Sequence, residues 1–129
     1  HAIIQGMHRT KNGILLGINS FWEGIDLPGE LLEILILAKL PFSVPSEPVI
    51  KAYSNLLQSL DKNPFLEFNV PESVIKFRQG FGRLIRTSRD VGAFFVMDER
   101  VVKKRYGTSF SDSIPVRMDL FSNLNEIII

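Results

Sequence analysis

The chain has 129 residues and a mass of 14.6 kDa, is 45% hydrophobic and 22% charged, and sets 15 basic residues against 14 acidic ones. That is one domain's worth of chain, long enough to bury a core, and its average composition excludes a disordered tail, a collagen-like repeat or a coiled coil. The lack of cysteine excludes a disulfide framework, a cysteine-ligated zinc site and a cysteine-held iron–sulfur cluster within this segment.

In chain order, residues 13–19 (Gly-Ile-Leu-Leu-Gly-Ile-Asn) are the first continuously apolar run, and such runs suit a strand buried on both faces of a parallel sheet. Residues 31–40 (Leu-Leu-Glu-Ile-Leu-Ile-Leu-Ala-Lys-Leu) predict a second strand of the same kind. Glu33 and Lys39 interrupt it, and no run reaches the roughly 18 to 20 apolar residues of a membrane-spanning helix. After the loop residues Pro41, Ser43, Pro45 and Ser46, the three- and four-residue spacing of Val49, Ile50, Tyr53, Leu56, Leu57 and Leu60 predicts a helix over 47–62. Asn63-Pro64-Phe65 separates it from a second helix, predicted over 71–86. Pro71 and Glu72 suit that helix's first turn, and Val74, Ile75, Phe77, Phe81, Leu84 and Ile85 form its apolar face. Residues 91–97 predict a third strand, and 109–113 a short helix. Residues 120–129 fit a helix or a strand equally. Strands alternating with helices point to an α/β fold with a parallel, wound sheet. The N-terminus has no initiator Met and no signal pattern, so the expectation is a soluble, cytoplasmic piece of a longer chain, a single domain over 1–129.

Charge is unevenly distributed. The stretch 76–105 holds nine basic residues against Asp90, Asp98 and Glu99, a net +6, which leaves −5 for the remainder. A basic stretch on a near-neutral protein suits a polyanion, nucleic acid or nucleotide phosphate, or else is simply a solvated helix face.

Within that stretch lies Gln79-Gly80-Phe81-Gly82-Arg83-Leu84-Ile85-Arg86. On a helix Gln79, Arg83 and Arg86 fall at i, i+4 and i+7 along one face, where two guanidiniums can grip a phosphate through permanently charged forks. Gly80 and Gly82 each weaken a helix by roughly 1 kcal/mol relative to Ala, which points to something approaching the backbone closely. The alternative is an exposed amphipathic helix.

Directly after the first predicted strand comes Ser20-Phe21-Trp22-Glu23-Gly24-Ile25-Asp26-Leu27-Pro28-Gly29. In wound sheets, loops beyond the strands' carboxyl ends carry the binding site. Glu23 and Asp26 can orient an arginine or accept a ribose hydroxyl. Phe21 suits the core, and Trp22 the core or a stacking surface. Gly24 and Gly29 have the outer spacing of a phosphate-binding P-loop, but Glu30 and Leu31 replace its Lys and Ser/Thr, so the chain has no P-loop.

Together, Phe-Trp-Glu-Gly-Ile-Asp-Leu-Pro-Gly and Gln-Gly-Phe-Gly-Arg-Leu-Ile-Arg resemble motifs V and VI of superfamily 2 helicases, most closely the DinG branch, bacterial relatives of the XPD helicase. Lys39-Leu40-Pro41-Phe42, Asn63-Pro64-Phe65, Asp98-Glu99-Arg100 and Lys104-Arg105-Tyr106-Gly107 follow in that family's order. The resemblance implies a RecA-like, P-loop NTPase-type lobe, the second of two, without a P-loop of its own. It implies that ATP and Mg2+ are held mainly by the first lobe of the same chain, with no metal ligand in this piece. By position, Arg86 is similar to the arginine that reaches the γ-phosphate, with Arg83 beside it and Gln79 near the phosphates. Glu23, Gly24, Asp26 and Gly82 would line the ATP site. Ser20, Trp22, Lys104, Arg105 and Tyr106 would meet single-stranded DNA. Ala2-Ile3-Ile4-Gln5-Gly6 resembles a strand that the family places upstream of a helix. An alternative within the resemblance is the helicase-like body of a fused 3'-5' exonuclease. An alternative outside it is a non-catalytic nucleic-acid- or protein-binding module with this fold.

Overall fold

The computed structural model describes residues 5–6, 13–18, 32–87 and 89–126. Among them two strands, β1 (Ile34–Leu37) and β2 (Ala93–Val96), pair in parallel with Ile34 opposite Ala93 and Leu37 opposite Val96. The crossover between them carries helix α1 (Pro48–Ser59), a π-helical turn (Phe65–Asn69) and helix α2 (Val70–Leu84). After β2 come the short helix α3 (Arg100–Lys103), a 3-10 turn (Arg105–Gly107), the short helix α4 (Thr108–Ser111) and a 3-10 turn (Leu124–Glu126). The protein is thus a small parallel sheet with helices.

Period-two alternation explains how the sheet is used. Leu35, Leu37, Phe94 and Val96 share one face, where the rings of Phe77 and Phe81 on α2 lie 5.2 and 5.8 Å from Phe94. Phe77 and Phe110 are fully buried and meet edge to face at 5.4 Å. They form the centre of a core with Leu37, Leu40, Val70, Phe81 and Ile114. On the other face Ile34 and Ile36 remain largely exposed, while Phe95 meets Phe121 at 6.0 Å.

Helix boundaries follow local hydrogen bonding more than apolar spacing. Helix α1 ends at Ser59, short of the expected Lys62, because Asp61 takes a left-handed backbone (φ 55°). The Asp61 and Lys62 amides then donate back to the carbonyls of Gln58 and Leu57, closing a Schellman-type end. Asn63 does not separate two helices so much as start the second. Its Oδ1 accepts from the amides of Phe65 and Leu66. Pro71 has no N–H to donate to Glu67, and the preceding turn widens, with the Val70 amide reaching the Phe65 carbonyl.

Three expectations are corrected here. Residues 13–18 form no strand, and Ile14, Leu16 and Ile18 are 89%, 87% and 77% exposed. An apolar run becomes a buried strand only when a neighbour completes its ladder and helices cover its faces. Among the described residues no strand pairs with it, and Gly13 and Gly17 add backbone entropy to be overcome. The strand predicted over 31–40 is confined to Ile34–Leu37 and is covered on one face only. Gln5 and Gly6, expected in a strand, are helical.

Past the last ladder bond, from the Met97 amide to the Leu37 carbonyl, one side chain links the two segments that leave the strands. Asp98, just past β2, is 8% exposed, and its Oδ2 accepts the Leu40 amide at 2.8 Å, just past β1. Arg100 approaches the same carboxylate with Nη2 at 2.6 Å and Nε at 2.9 Å. These bonds, Arg100 foremost, hold the Asp98 carboxyl down at about 2 against the opposing effect of burial. Since the folded-state value lies below that of the unfolded chain, the stabilisation is complete above about pH 4 and is lost as pH falls toward 2. It amounts to about 2 kcal/mol. Denaturant titrations from pH 5 to pH 2 are expected to show this loss. Asp98→Asn should start less stable at pH 5 and lose about 2 kcal/mol less than the parent on acidification, and equal slopes would contradict the assignment.

Candidate functional site at the end of helix α2

Gln79 and Arg83 lie one turn apart on α2, as the spacing predicts, with Gln79 exposed and Arg83 half-buried. Arg86 does not continue that helical face. Helix α2 stops at Leu84, and Ile85 is extended (φ −118°, ψ 104°). The reason is local: Asp90 Oδ2 accepts the amides of both Arg86 and Thr87 at 2.7 Å. Those two bonds hold the Asp90 carboxyl below its usual value, the Thr87 amide contributing most and Arg86 next. The chain therefore turns at Arg86 instead of winding on. The Arg86 side chain is exposed, with its Nε donating to the Arg83 carbonyl at 3.4 Å. The two arginines are still brought together, by a turn rather than by helical periodicity.

The backbone at this end is the carboxyl end of a helix, whose carbonyls repel anions. Attraction for a phosphate here must come from the guanidinium groups. Gly80 is buried. Gly82 is exposed, and a Cβ built there would meet nothing within 4 Å. Among the described residues no packing therefore requires glycine at 82, and the space over this part of the helix is open.

Lys104, Arg105 and Tyr106 sit at the other end of the sheet. Tyr106 meets Phe42, which follows β1, at 5.9 Å edge to face, and Phe65 at 5.2 Å. Arg86 instead lies toward the strands' amino ends. Gly92 just before β2 abuts Leu84 of α2 and the Glu33 carbonyl just before β1. Lys104 and Arg105 are exposed. A Cβ at Gly107 would run into the Val101 carbonyl, so glycine is what lets the 105–107 turn close against α3. The +6 stretch is accordingly not one stripe. Lys76 pairs with Glu72, Arg100 with Asp98 and Lys103 with Glu99, and the remaining cations are spread over both ends.

Ser20, Trp22, Glu23, Gly24 and Asp26 lie outside the described residues, as does the segment around them. Among the described residues, no group of three or more His, Asp or Glu is placed to hold a metal ion, and no helix is long and apolar enough to cross a membrane. Sequence reasoning missed Asp90 as the residue that shapes the Arg86 turn. Its signal was its position four residues after Arg86, at the end of a loop.

Comparison with known proteins identifies the family. The family model for helicase C-terminal domains matches residues 1–117. The chain belongs to that family, on its DinG-like branch. It is 46% identical over 105 residues to an ATP-dependent DNA helicase DinG from Photobacterium profundum, across 81% of this chain and 15% of that protein. It is 43% identical over 113 residues to a 3'-5' exonuclease DinG from Bacillus subtilis, across 88% and 12%. It is 38% identical over 113 residues to an ATP-dependent DNA helicase YoaA from Escherichia coli, across 88% and 18%. The chain thus spans less than a fifth of the length of these relatives.

Gly82→Ala places a methyl in open space within a helix. It is expected to leave stability unchanged or raise it by about 0.5–1 kcal/mol in denaturant unfolding. A loss of more than that would show that glycine is needed for the lobe's own packing.

Proposed function

We propose that this domain is the second RecA-like lobe of an ATP-dependent DNA helicase, lending Arg86, Arg83 and Gln79 to ATP hydrolysis coupled to movement along single-stranded DNA. The observation that carries the proposal is the Asp90-held turn. It presents the Arg86 side chain from a rigid helix end, beside Arg83 and the open backbone of Gly82.

ATP with its Mg2+ would be held mainly by the P-loop lobe of the same protein, with Gly82 and the segment of Glu23, Gly24 and Asp26 completing the site from this side. The residues present suit that role. An exposed guanidinium on a fixed turn can reach a phosphate across a cleft, and a bidentate fork spreads its charge over two oxygens. Its effect is greatest when negative charge shifts during phosphoryl transfer, a contribution worth roughly 10³ to 10⁵ in rate. Gln79 would orient water or the Arg86 fork. The cations at Lys104 and Arg105 would hold the DNA phosphates, with Ser20 and Trp22 from the post-strand loop. The two ends are linked by α2. Lys76 on its first half donates to Ser43 Oγ at 2.7 Å in the loop after β1, while its last turn carries Arg83. Such a helix can transmit a change at one end to the other.

The Bacillus subtilis relative is named an exonuclease, which favours a second reading in which the same lobe serves a protein with a fused 3'-5' exonuclease. The roles of the arginines are the same in both.

In the full-length protein, Arg86→Ala is expected to lower kcat for DNA-stimulated ATP hydrolysis by at least roughly a hundredfold with little change in ATP affinity. Arg86→Lys should also be poor, because an ammonium does not reproduce the fork. Normal turnover in either variant would refute the assignment.

A further inference from the structure

Four separate segments converge at the carboxyl ends of the strands: the loop after β1, the turn before α2, and the two segments on either side of α3. Their aromatic rings form one cluster. Phe65 stacks on Phe42 at 5.4 Å with 28° between the planes, and Tyr106 meets Phe65 edge to face at 5.2 Å. The Arg100 guanidinium, itself locked on Asp98, lies 5.2 Å over the Phe42 ring. Most of these groups complete one another. Phe65 does not, since 38% of it remains exposed.

The position of that ring is set with unusual care. The Asn63 side chain is spent on the Phe65 and Leu66 amides, and Phe65 opens a π-helical turn, an element met disproportionately at functional sites. The ring packs on Phe42 and Tyr106 and still leaves part of its surface open to solvent. Exposed cations adjoin its aromatic neighbours in the chain, Lys104 and Arg105 immediately before Tyr106 and Lys39 three residues before Phe42, while the exposed Glu67 lies on its own turn. An aromatic ring fixed beside cations is the combination that holds single-stranded nucleic acid, phosphates on the charges and a base on the ring.

We propose that Phe65 is a stacking platform for one base of the single strand, at the carboxyl edge of the sheet. This rests on the DNA path assigned above to Lys104 and Arg105, and goes beyond it by placing a base and not only phosphates.

The test uses the full-length protein and fluorescence anisotropy, with a labelled oligo(dT) and an abasic deoxyribose-phosphate chain of equal length as probes. Phe65→Leu keeps an apolar contact on Phe42 but removes the ring. It is expected to weaken oligo(dT) binding about tenfold while leaving the abasic chain bound as in the parent, and Phe65→Trp should bind oligo(dT) at least as well as the parent. Unchanged oligo(dT) affinity in Phe65→Leu, or an equal loss on both probes, would overturn the platform. The underlying DNA path is read separately. Lys104→Ala with Arg105→Ala should flatten the salt dependence on both probes. A flattened slope with a silent Phe65→Leu overturns the platform alone, and an unchanged slope overturns the path.

Discussion

The buried carboxylate of Asp98 is the constraint on which the arrangement depends. Two parallel strands cannot be joined by a tight hairpin, so nothing in the chain's connectivity holds their carboxyl ends together. The ladder joins them as far as the bond from the Met97 amide to the Leu37 carbonyl, and Asp98 carries the link onward by accepting the Leu40 amide, with Arg100 compensating its charge. A buried carboxylate without such partners would be strongly destabilising. The same pair orders what lies above it. Arg100 reaches over Phe42, and Phe42 gathers Phe65, Tyr106 and Phe110. One carboxylate therefore links the segments leaving both strands to the aromatic cluster above them.

A second carboxylate does comparable work at the opposite end by different means. Where Asp98 is buried, Asp90 is half-buried. Its two backbone bonds nevertheless decide that Arg86 leaves the helix and turns. Between the two ends runs α2, whose Phe77 and Phe81 press on β2 and whose Lys76 grips Ser43. The described residues thus present a guanidinium end and an aromatic, cationic end, joined by a helix that packs on β2. That division suits the coupling of nucleotide chemistry to a DNA strand, as proposed for this lobe.

Much was legible in the order of residues. The helical spacing of Val49 to Leu60 and of Val74 to Leu84 located α1 and α2, and the apolar runs around Ile34–Leu37 and Ala93–Val96 located the strands that pair. Gln79 and Arg83 fall on one helical face as their spacing requires. The ordered motifs pointed to the helicase C-terminal family that comparison then established. These features are legible because helix periodicity and motif chemistry are local properties.

What the sequence by itself determined, then, was the family, the identity of the charged groups and the type of the elements from Ile34 to Val96, but not that of residues 5–6 or 13–18. Where elements stop was decided by short-range bonds that apolar spacing does not reveal, and what they meet was decided by tertiary structure. Helix α2 ends before Arg86 because Asp90 folds back on its amides, and α1 ends early because Asp61 accepts a left-handed backbone. The apolar run at residues 13–18 stays exposed because hydrophobicity requires burial but does not supply the neighbour that would provide it. The convergence of Phe42, Phe65, Arg100 and Tyr106 joins residues up to 64 positions apart, and no local pattern encodes it. It exists because the strands pair and Asp98 then joins the segments that leave them, through a bond between residues 58 positions apart that only the folded chain can form.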